Sequence, residues 1–241
     1  MIYVFVLIVG LFAGILGGIV GTGTSIMLLP VLAYSFGPKQ AVPIMAIAAI
    51  MANLARIIAW WRDVDWRAVA AYSIPGIPAA ALGARTLLAL PSGFVDIAIG
   101  VFFILMIPFR RWMAARQFTL PLWSLAVVGA GMGYLTGIVA STGPMTVPIF
   151  VSYGLIRGPL LGTEAASSLA VYVSKAITFQ RLDALPPDIM LKGLIAGSSL
   201  FAGAFIAKRV VMKLDASAFH LLMEGLMLVA GLSMFWNAFQ G

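Results

Sequence analysis

The chain has no cysteine in its 241 residues and a single histidine, His220. Disulfides, thiol catalysis, iron–sulfur clusters and thiolate metal sites are therefore excluded, and no H-E-x-x-H pair or other ligand cluster takes their place. Charge is scarce as well. Asp, Glu, Lys and Arg make up 10% of the residues, against roughly 25% in a soluble globular domain. A Walker-type phosphate loop is missing, so ATP-driven pumping by this chain alone is not expected. No His/Asp/Glu or Ser/Lys set stands at catalytic spacing: Ser174 and Lys175 adjoin, but neighbours on a helix point in different directions. The chain is accordingly not read as an enzyme, and no cofactor or metal is expected.

What is present is apolar. With 62% hydrophobic residues and a mean hydropathy of +1.07, the composition indicates an all-α, polytopic helical membrane protein. The formal charge of +7 is ordinary where Lys and Arg mark the cytoplasmic side and meet anionic headgroups, so nucleic acid is not an expected partner. The first residues lack a basic stretch and lead straight into Gly-rich apolar sequence, and they are not read as a cleaved signal peptide.

The densest glycine cluster, Gly14-Ile-Leu-Gly-Gly-Ile-Val-Gly-Thr-Gly-Thr-Ser25, falls inside an apolar run from Ile2 to Phe36. A second interruption of the same kind occurs at Gly133-Tyr-Leu-Thr-Gly-Ile-Val-Ala-Ser-Thr-Gly-Pro-Met145. Non-helical backbone at membrane depth survives only where protein or a watery cavity surrounds it, so the two breaks form the expected functional centre.

Apolar runs bounded by Pro, Gly and charge predict segments near 2–20, 24–36, 40–61, 67–90 and 94–109, then 121–140, 144–156, 160–180, 187–212 and 217–239. The second and seventh are short, as half-helices would be. The polar stretch from Arg110 to Gln117 lies near the midpoint and divides the chain into halves at 1–109 and 121–241, joined by a cytoplasmic linker at 110–120. Gly14 and Gly133, Gly18 and Gly137, Arg56 and Lys175, and Arg62 and Arg181 all stand 119 residues apart, which points to a duplicated architecture. Counting each piece of a broken segment separately puts Arg62, Arg67, Arg110, Arg111, Arg116, Arg157, Lys208, Arg209 and Lys213 on one face. Only Lys39, Arg85, Arg181 and Lys192 then fall on the other. The positive-inside bias prefers this count, which gives five segments per half, two inverted repeats and both termini outside. The first two segments of each half equally allow a re-entrant hairpin, so the expectation is 8–10 membrane segments in the inner (cytoplasmic) membrane.

The sequence resembles the TauE/SafE sulfite exporter family of membrane permeases. The resemblance rests on the Gly14–Gly23 cluster with Pro30 downstream, on Asp63-Val-Asp-Trp-Arg67, on Ile74-Pro-Gly-Ile-Pro-Ala-Ala-Ala-Leu-Gly-Ala-Arg85, and on Lys175 with Gln180-Arg-Leu-Asp-Ala-Leu-Pro186. It implies transport of sulfur-containing anions such as sulfite, sulfonates or sulfoacetate. The interleaved Thr22, Thr24 and Ser25 depart from the family's plainer glycine run and suggest an altered substrate preference.

A helix that starts after a glycine-rich break leaves backbone N–H groups unpaired, with the positive end of its dipole behind them, and such ends bind anions. The candidate substrate contacts are therefore Gly21, Thr22, Gly23, Thr24 and Ser25 in the first half and Ser141, Thr142 and Gly143 in the second. Close helix packing is the competing reading, and it is preferred for Gly14, Gly18, Gly133 and Gly137. Arg56 and Lys175 hold equivalent places inside their segments, where a charge is costly unless paired or functional, with Asn53 one turn before Arg56. For Arg56 snorkelling to the interface competes equally. His220 and Glu224 share one helix face and suit either an interfacial pair, which is preferred, or a coupling-proton site. Glu164 reads as a favourable first-turn carboxylate, and Asp63, Asp65 and Asp183 as solvated loop charges. Trp60, Trp61, Trp66, Trp112, Trp123 and Trp236 read as interface anchors.

The expected function is a secondary transporter that moves a small anion by alternating access around a midplane site. The alternatives are an anion channel and a permease for a different small carboxylate or oxyanion. The implied partners are the anionic substrate, a coupling proton or sodium ion and membrane lipids, and a homo-oligomer is compatible with the sequence.

Overall fold

The computed structural model describes residues 2–210 except 22–23, 140–141 and most of 92–118. The expected segment at 217–239 with His220 and Glu224, and the linker residues Arg110, Arg111 and Arg116, lie outside the described residues. Within those described there is no strand. The helices are α1 (Ile2–Val20), α2 (Thr24–Phe36), α3 (Pro38–Trp60), α4 (Trp66–Ala89), α5 (Leu122–Ile138), α6 (Gly143–Ser152), α7 (Arg157–Arg181) and α8 (Pro187–Val210), with a 3₁₀ turn at Trp61–Asp63 between α3 and α4.

Three stretches, Ile2–Ile19, Gln40–Asp63 and Pro187–Ala207, are both long and apolar enough to cross a membrane. α4 and α7 are long enough, at 24 and 25 residues; α7 buries Glu164, Ser167, Lys175 and Thr178, whereas the face that α4 buries is mostly Ala and Gly. α2 and α6 have 13 and 10 residues, about 20 and 15 Å of helix, and so are too short for a ~30 Å hydrocarbon layer.

Each short helix folds back on the one before it. Tyr3 at the start of α1 stacks on Phe36 at the end of α2, with ring centroids 5.9 Å apart, and Gly17 near the end of α1 packs on Thr24 at the start of α2. In the second half the N–H of Leu120, just before α5, bonds the carbonyl of Ser152 at the end of α6 at 2.8 Å. The two breaks are thus the tips of two helical hairpins.

The hairpins are held by the opposite half. α1 runs parallel to α8, so that Gly10 meets Ser199, Gly14 meets Leu200 and Gly18 meets Ala204. α5 runs parallel to α4, with Gly129 on Tyr72, Gly133 on Gly76 and Gly137 on Gly83. A methyl group at Gly14 would stand 2.5 Å from the Leu200 carbonyl oxygen, and one at Gly137 would stand 2.5 Å from the Gly83 Cα. The four glycines assigned to packing are therefore where helix backbones touch, a geometry that gains van der Waals contact in a solvent with no hydrophobic drive between helices.

α3 runs parallel to α8, through Gln40 beside Lys192 and Met51 beside Gly197, and antiparallel to α7, through Trp60 beside Gly158. α4 and α7 are parallel: the Asp65 N–H bonds the Thr163 hydroxyl at 2.9 Å and the Ser174 hydroxyl bonds the Ile77 carbonyl at 2.7 Å. These directions put Arg62, Arg67 and Arg157 at one end of the bundle and Arg85, Arg181 and Lys192 at the other. Trp61 and Trp66 pack edge to face at the first end, at 5.0 Å, as interface anchors do. The core between the layers is aliphatic and aromatic, with Leu28, Leu29, Leu32, Ile44, Met45, Tyr72, Phe150 and Phe179 all fully enclosed.

Candidate functional site

At the first break α1 ends in Gly21, whose φ of +79° is the left-handed turn that glycine adopts without a Cβ clash. The Gly21 N–H still bonds back to Gly17 at 2.8 Å, and its carbonyl points onward out of the helix. Arg56, six residues into the protein from Arg62 along α3, reaches that carbonyl with Nη1 at 2.8 Å. Nη1 also donates to Glu164 Oε2 at 2.7 Å, and Nη2 donates to Asn53 Oδ1. Asn53 is fixed in turn by its own amide, which donates to the Ala49 carbonyl at 2.8 Å.

Glu164 lies in the third turn of α7 and is 1% exposed. The expectation of a first-turn carboxylate is corrected here: α7 begins at Arg157, so the helix dipole does little for Glu164, and its charge is met by Arg56 from the other half. The carboxylate's two oxygens have separate duties. Oε1 accepts from the Thr146 hydroxyl on α6 at 3.0 Å and the Ser168 hydroxyl at 2.7 Å, leaving Oε2 for the guanidinium. Arg56, 8% exposed, does not snorkel to the interface.

These groups surround a small cavity of about 20 Å³, room for about one water molecule. Gly21, Thr24, Ser25, Asn53 and Arg56 line it from the first half, and Gly143, Glu164, Ser168 and Tyr172 from the second. Six of the eleven candidate site residues, Gly21, Thr24, Ser25, Asn53, Arg56 and Gly143, are thus brought together. Thr22, Gly23 and Ser141 lie outside the described residues.

Thr142 and Lys175 do not line this cavity. The Thr142 and Thr136 hydroxyls bond each other at 2.5 Å, and Thr136 also donates to the Met132 carbonyl at 2.7 Å. Lys175, 0% exposed, donates to the carbonyls of Thr136 at 2.6 Å and Val139 at 2.8 Å. It therefore neutralises the orphan carbonyls at the end of α5, the place where a helix dipole favours a cation. The start of α6 is equally spent: Pro144 has no N–H, and the N–H groups of Met145 and Thr146 both bond the Thr142 carbonyl.

Asp65 is a second correction. Instead of a solvated loop charge it is the N-cap of α4, with Oδ1 accepting from the N–H groups of Arg67 at 3.0 Å and Ala68 at 3.2 Å, and Oδ2 accepting from the Tyr153 hydroxyl at 3.3 Å.

An all-helical bundle with hairpin tips inside it, and a buried ion pair at one tip, defines an integral membrane protein with a polar centre shared by two halves. The chain belongs to the TauE/SafE family: the family model described as sulfite exporter TauE/SafE matches residues 6–234. That family is one of membrane transporters and not of enzymes. No curated protein and no solved structure matches the chain.

Proposed function

We propose that this protein is a secondary transporter that carries a small anion, sulfite or a sulfonate or related organosulfur anion, across the cytoplasmic membrane by alternating access. The observation that carries the reading is Arg56: a buried cation at a hairpin tip, in a cavity to which both halves contribute. A charge at that depth is expensive and marks a substrate path. Thr24 and Ser25 add hydroxyls at the start of α2, where a helix N-terminus favours negative charge.

The cavity is too small for a sulfur oxyanion as it stands, so the substrate must enter by separation of the two halves. The ion pair between Arg56 on α3 and Glu164 on α7 crosses that division, as do the hydrogen bonds that join Asp65 to Thr163 and Tyr153. Inversion of the halves is supported by the helix directions: α1 and α3 share a sense with α8, whereas α4 shares its sense with α5 and α7. Corresponding helices of the two halves thus point oppositely, which suits rocking about a fixed central site. The basic end with Arg62, Arg67 and Arg157 is assigned to the cytoplasm by the positive-inside rule.

The test is flux into proteoliposomes of sulfite, sulfoacetate, taurine, sulfate and thiosulfate under imposed proton and sodium gradients. Saturable uptake of at least one sulfur anion is expected. Failure of all five removes the substrate class, and unitary currents under voltage would replace the transporter with a channel.

A further inference from the structure

Three of the five N–H donors of Arg56 are engaged before any anion arrives. Both Nη1 protons are committed, one to the Gly21 carbonyl and one to Glu164 Oε2, and Nη2 serves Asn53. Arginine does not give up its proton in a protein, so the site holds one fixed positive and one negative charge. A substrate anion that binds at Nη1 must displace the Glu164 carboxylate. If both remain charged, two anions share one cation where almost no water can enter, and the electrostatic cost is large.

We propose that Glu164 is the proton-binding group of the transporter: the substrate anion takes Arg56 over from the carboxylate, and Glu164 binds one proton as it lets go. The inference rests on the transporter reading above. For an anion of single charge the charges balance, because one anion and one proton enter together and the site stays neutral. No covalent bond other than the O–H of the carboxylic acid forms.

The local geometry is built for such an exchange. Thr146 and Ser168 hold Oε1 through hydroxyls, which bond a carboxylate and a carboxylic acid equally well. Oε2, the oxygen that faces Arg56, is free to take the proton and then to donate it to an oxygen of the bound anion. The group is otherwise without competitors among the described residues. From α3 the charged neighbour is Arg56, from α4 the phenol of Tyr72 lies within electrostatic reach, and α7 itself adds Tyr172 on the cavity wall. α6 contributes only the Thr146 hydroxyl. Asp65 adjoins Thr163 through its N–H, but its carboxylate is spent on the start of α4 and on Tyr153. Lys175 is occupied on the carbonyls of the second break. Since Arg56 and Glu164 belong to different halves, the same exchange also undoes the ion pair that ties them. Proton, anion and opening are coupled at one contact.

Isothermal titration calorimetry of the purified wild-type protein with methanesulfonate, a monoanion that stays ionised across neutral pH, measures this directly. In buffers of different ionisation enthalpy, uptake of one proton per anion is expected, with Kd rising about tenfold per pH unit once the carboxylate is ionised. In Glu164→Gln the proton uptake and the pH slope should both disappear, and proton-gradient-driven methanesulfonate accumulation in proteoliposomes should be lost. Wild-type binding without proton uptake, or proton uptake that persists in Glu164→Gln, overturns the proposal and leaves the transporter reading intact. Absence of binding and flux for every sulfur anion in the wild type overturns the transporter reading and this inference with it. The wild-type titration decides the matter even if the variant fails to fold.

Discussion

The two hairpin tips are built from corresponding residues and finished differently. At each, a cation from the third helix of the same half reaches back to the carbonyls where the first helix stops: Arg56 to Gly21, Lys175 to Thr136 and Val139. That shared duty follows from the break itself, which orphans carbonyls in a place where water cannot satisfy them. The difference lies in what each cation has left over. A guanidinium has five N–H donors in a planar fork, so Arg56 can serve the break and still hold Glu164 and Asn53. An ammonium has three, and Lys175 lies against the Phe179 ring with its nitrogen 5.5 Å from the centroid. One tip therefore opens on a small cavity and the other is closed on itself. The 119-residue spacing sets a cation at the same place in both tips, and the choice of Arg or Lys separates them.

The largest effect is expected from the open tip. Arg56→Ala should reduce sulfoacetate flux in proteoliposomes to background. It should also destabilise the fold by about 3–5 kcal/mol, because Glu164 is left buried and charged without a partner. Adding Glu164→Gln to it should restore most of the thermal stability measured in detergent and none of the transport. Recovered flux in the double variant would show that the ion pair is a structural tie and nothing more.

The closed tip should answer in the opposite sense. Lys175→Met orphans two carbonyls, at a cost of about 1–3 kcal/mol each, yet transport per folded molecule should stay above half of the wild type. Lost transport at unchanged stability would return Lys175 to the substrate path and dissolve the contrast between the tips.

A finer comparison concerns how tightly each tip is clamped. At Gly137 an added methyl would meet the Gly83 Cα at 2.5 Å, the Ala80 carbonyl oxygen at 2.6 Å and the Ala84 nitrogen at 2.6 Å, all backbone. At Gly18 it would meet the Ala207 side chain at 2.6 Å and the Ala204 Cα at 2.9 Å. Both Gly→Ala substitutions should destabilise by roughly 1–3 kcal/mol, Gly137 by more. Equal losses in thermal unfolding would mean that α1 and α5 are clamped alike.

Much of this was legible before any coordinates. Apolar runs located α1 and α2 to the residue, and the 119-residue spacing paired Arg56 with Lys175. The packing role of Gly14, Gly18, Gly133 and Gly137 followed from their small-xxx-small spacing. What spacing cannot convey is where the end of a long side chain goes. Arg56 and Glu164 are 108 residues apart, and their meeting depends on α3 and α7 crossing at one level. A signal was present at Glu164, since Pro159 belongs in a first helical turn and so places Glu164 past it. The separate fates of the two cations had no such signal: they depend on the partner that faces each tip, and the second half offers a carboxylate to the first without receiving one.

The smallest contrast lies at the first turns of α4 and α8, the helices that clamp the two hairpins. Asp65 accepts from two backbone N–H groups at the start of α4 and from Tyr153, so it satisfies donors that the helix itself cannot. Asp188, in the first turn of α8, pairs with Lys192 at 3.2 Å, but its side chain is 62% exposed. Water competes for that pair, which is worth a few tenths of a kcal/mol at most for such an i,i+4 contact. Asp65→Ala should therefore cost about 1 kcal/mol, as the loss of an N-cap does. Asp188→Ala should be hard to distinguish from wild type in thermal unfolding. Transport per folded molecule should be unaffected in both, since neither carboxylate reaches the cavity. An Asp188 effect as large as that of Asp65 would mean that the α8 start is buried by residues beyond 210, and that the two clamps are more alike than their first turns suggest.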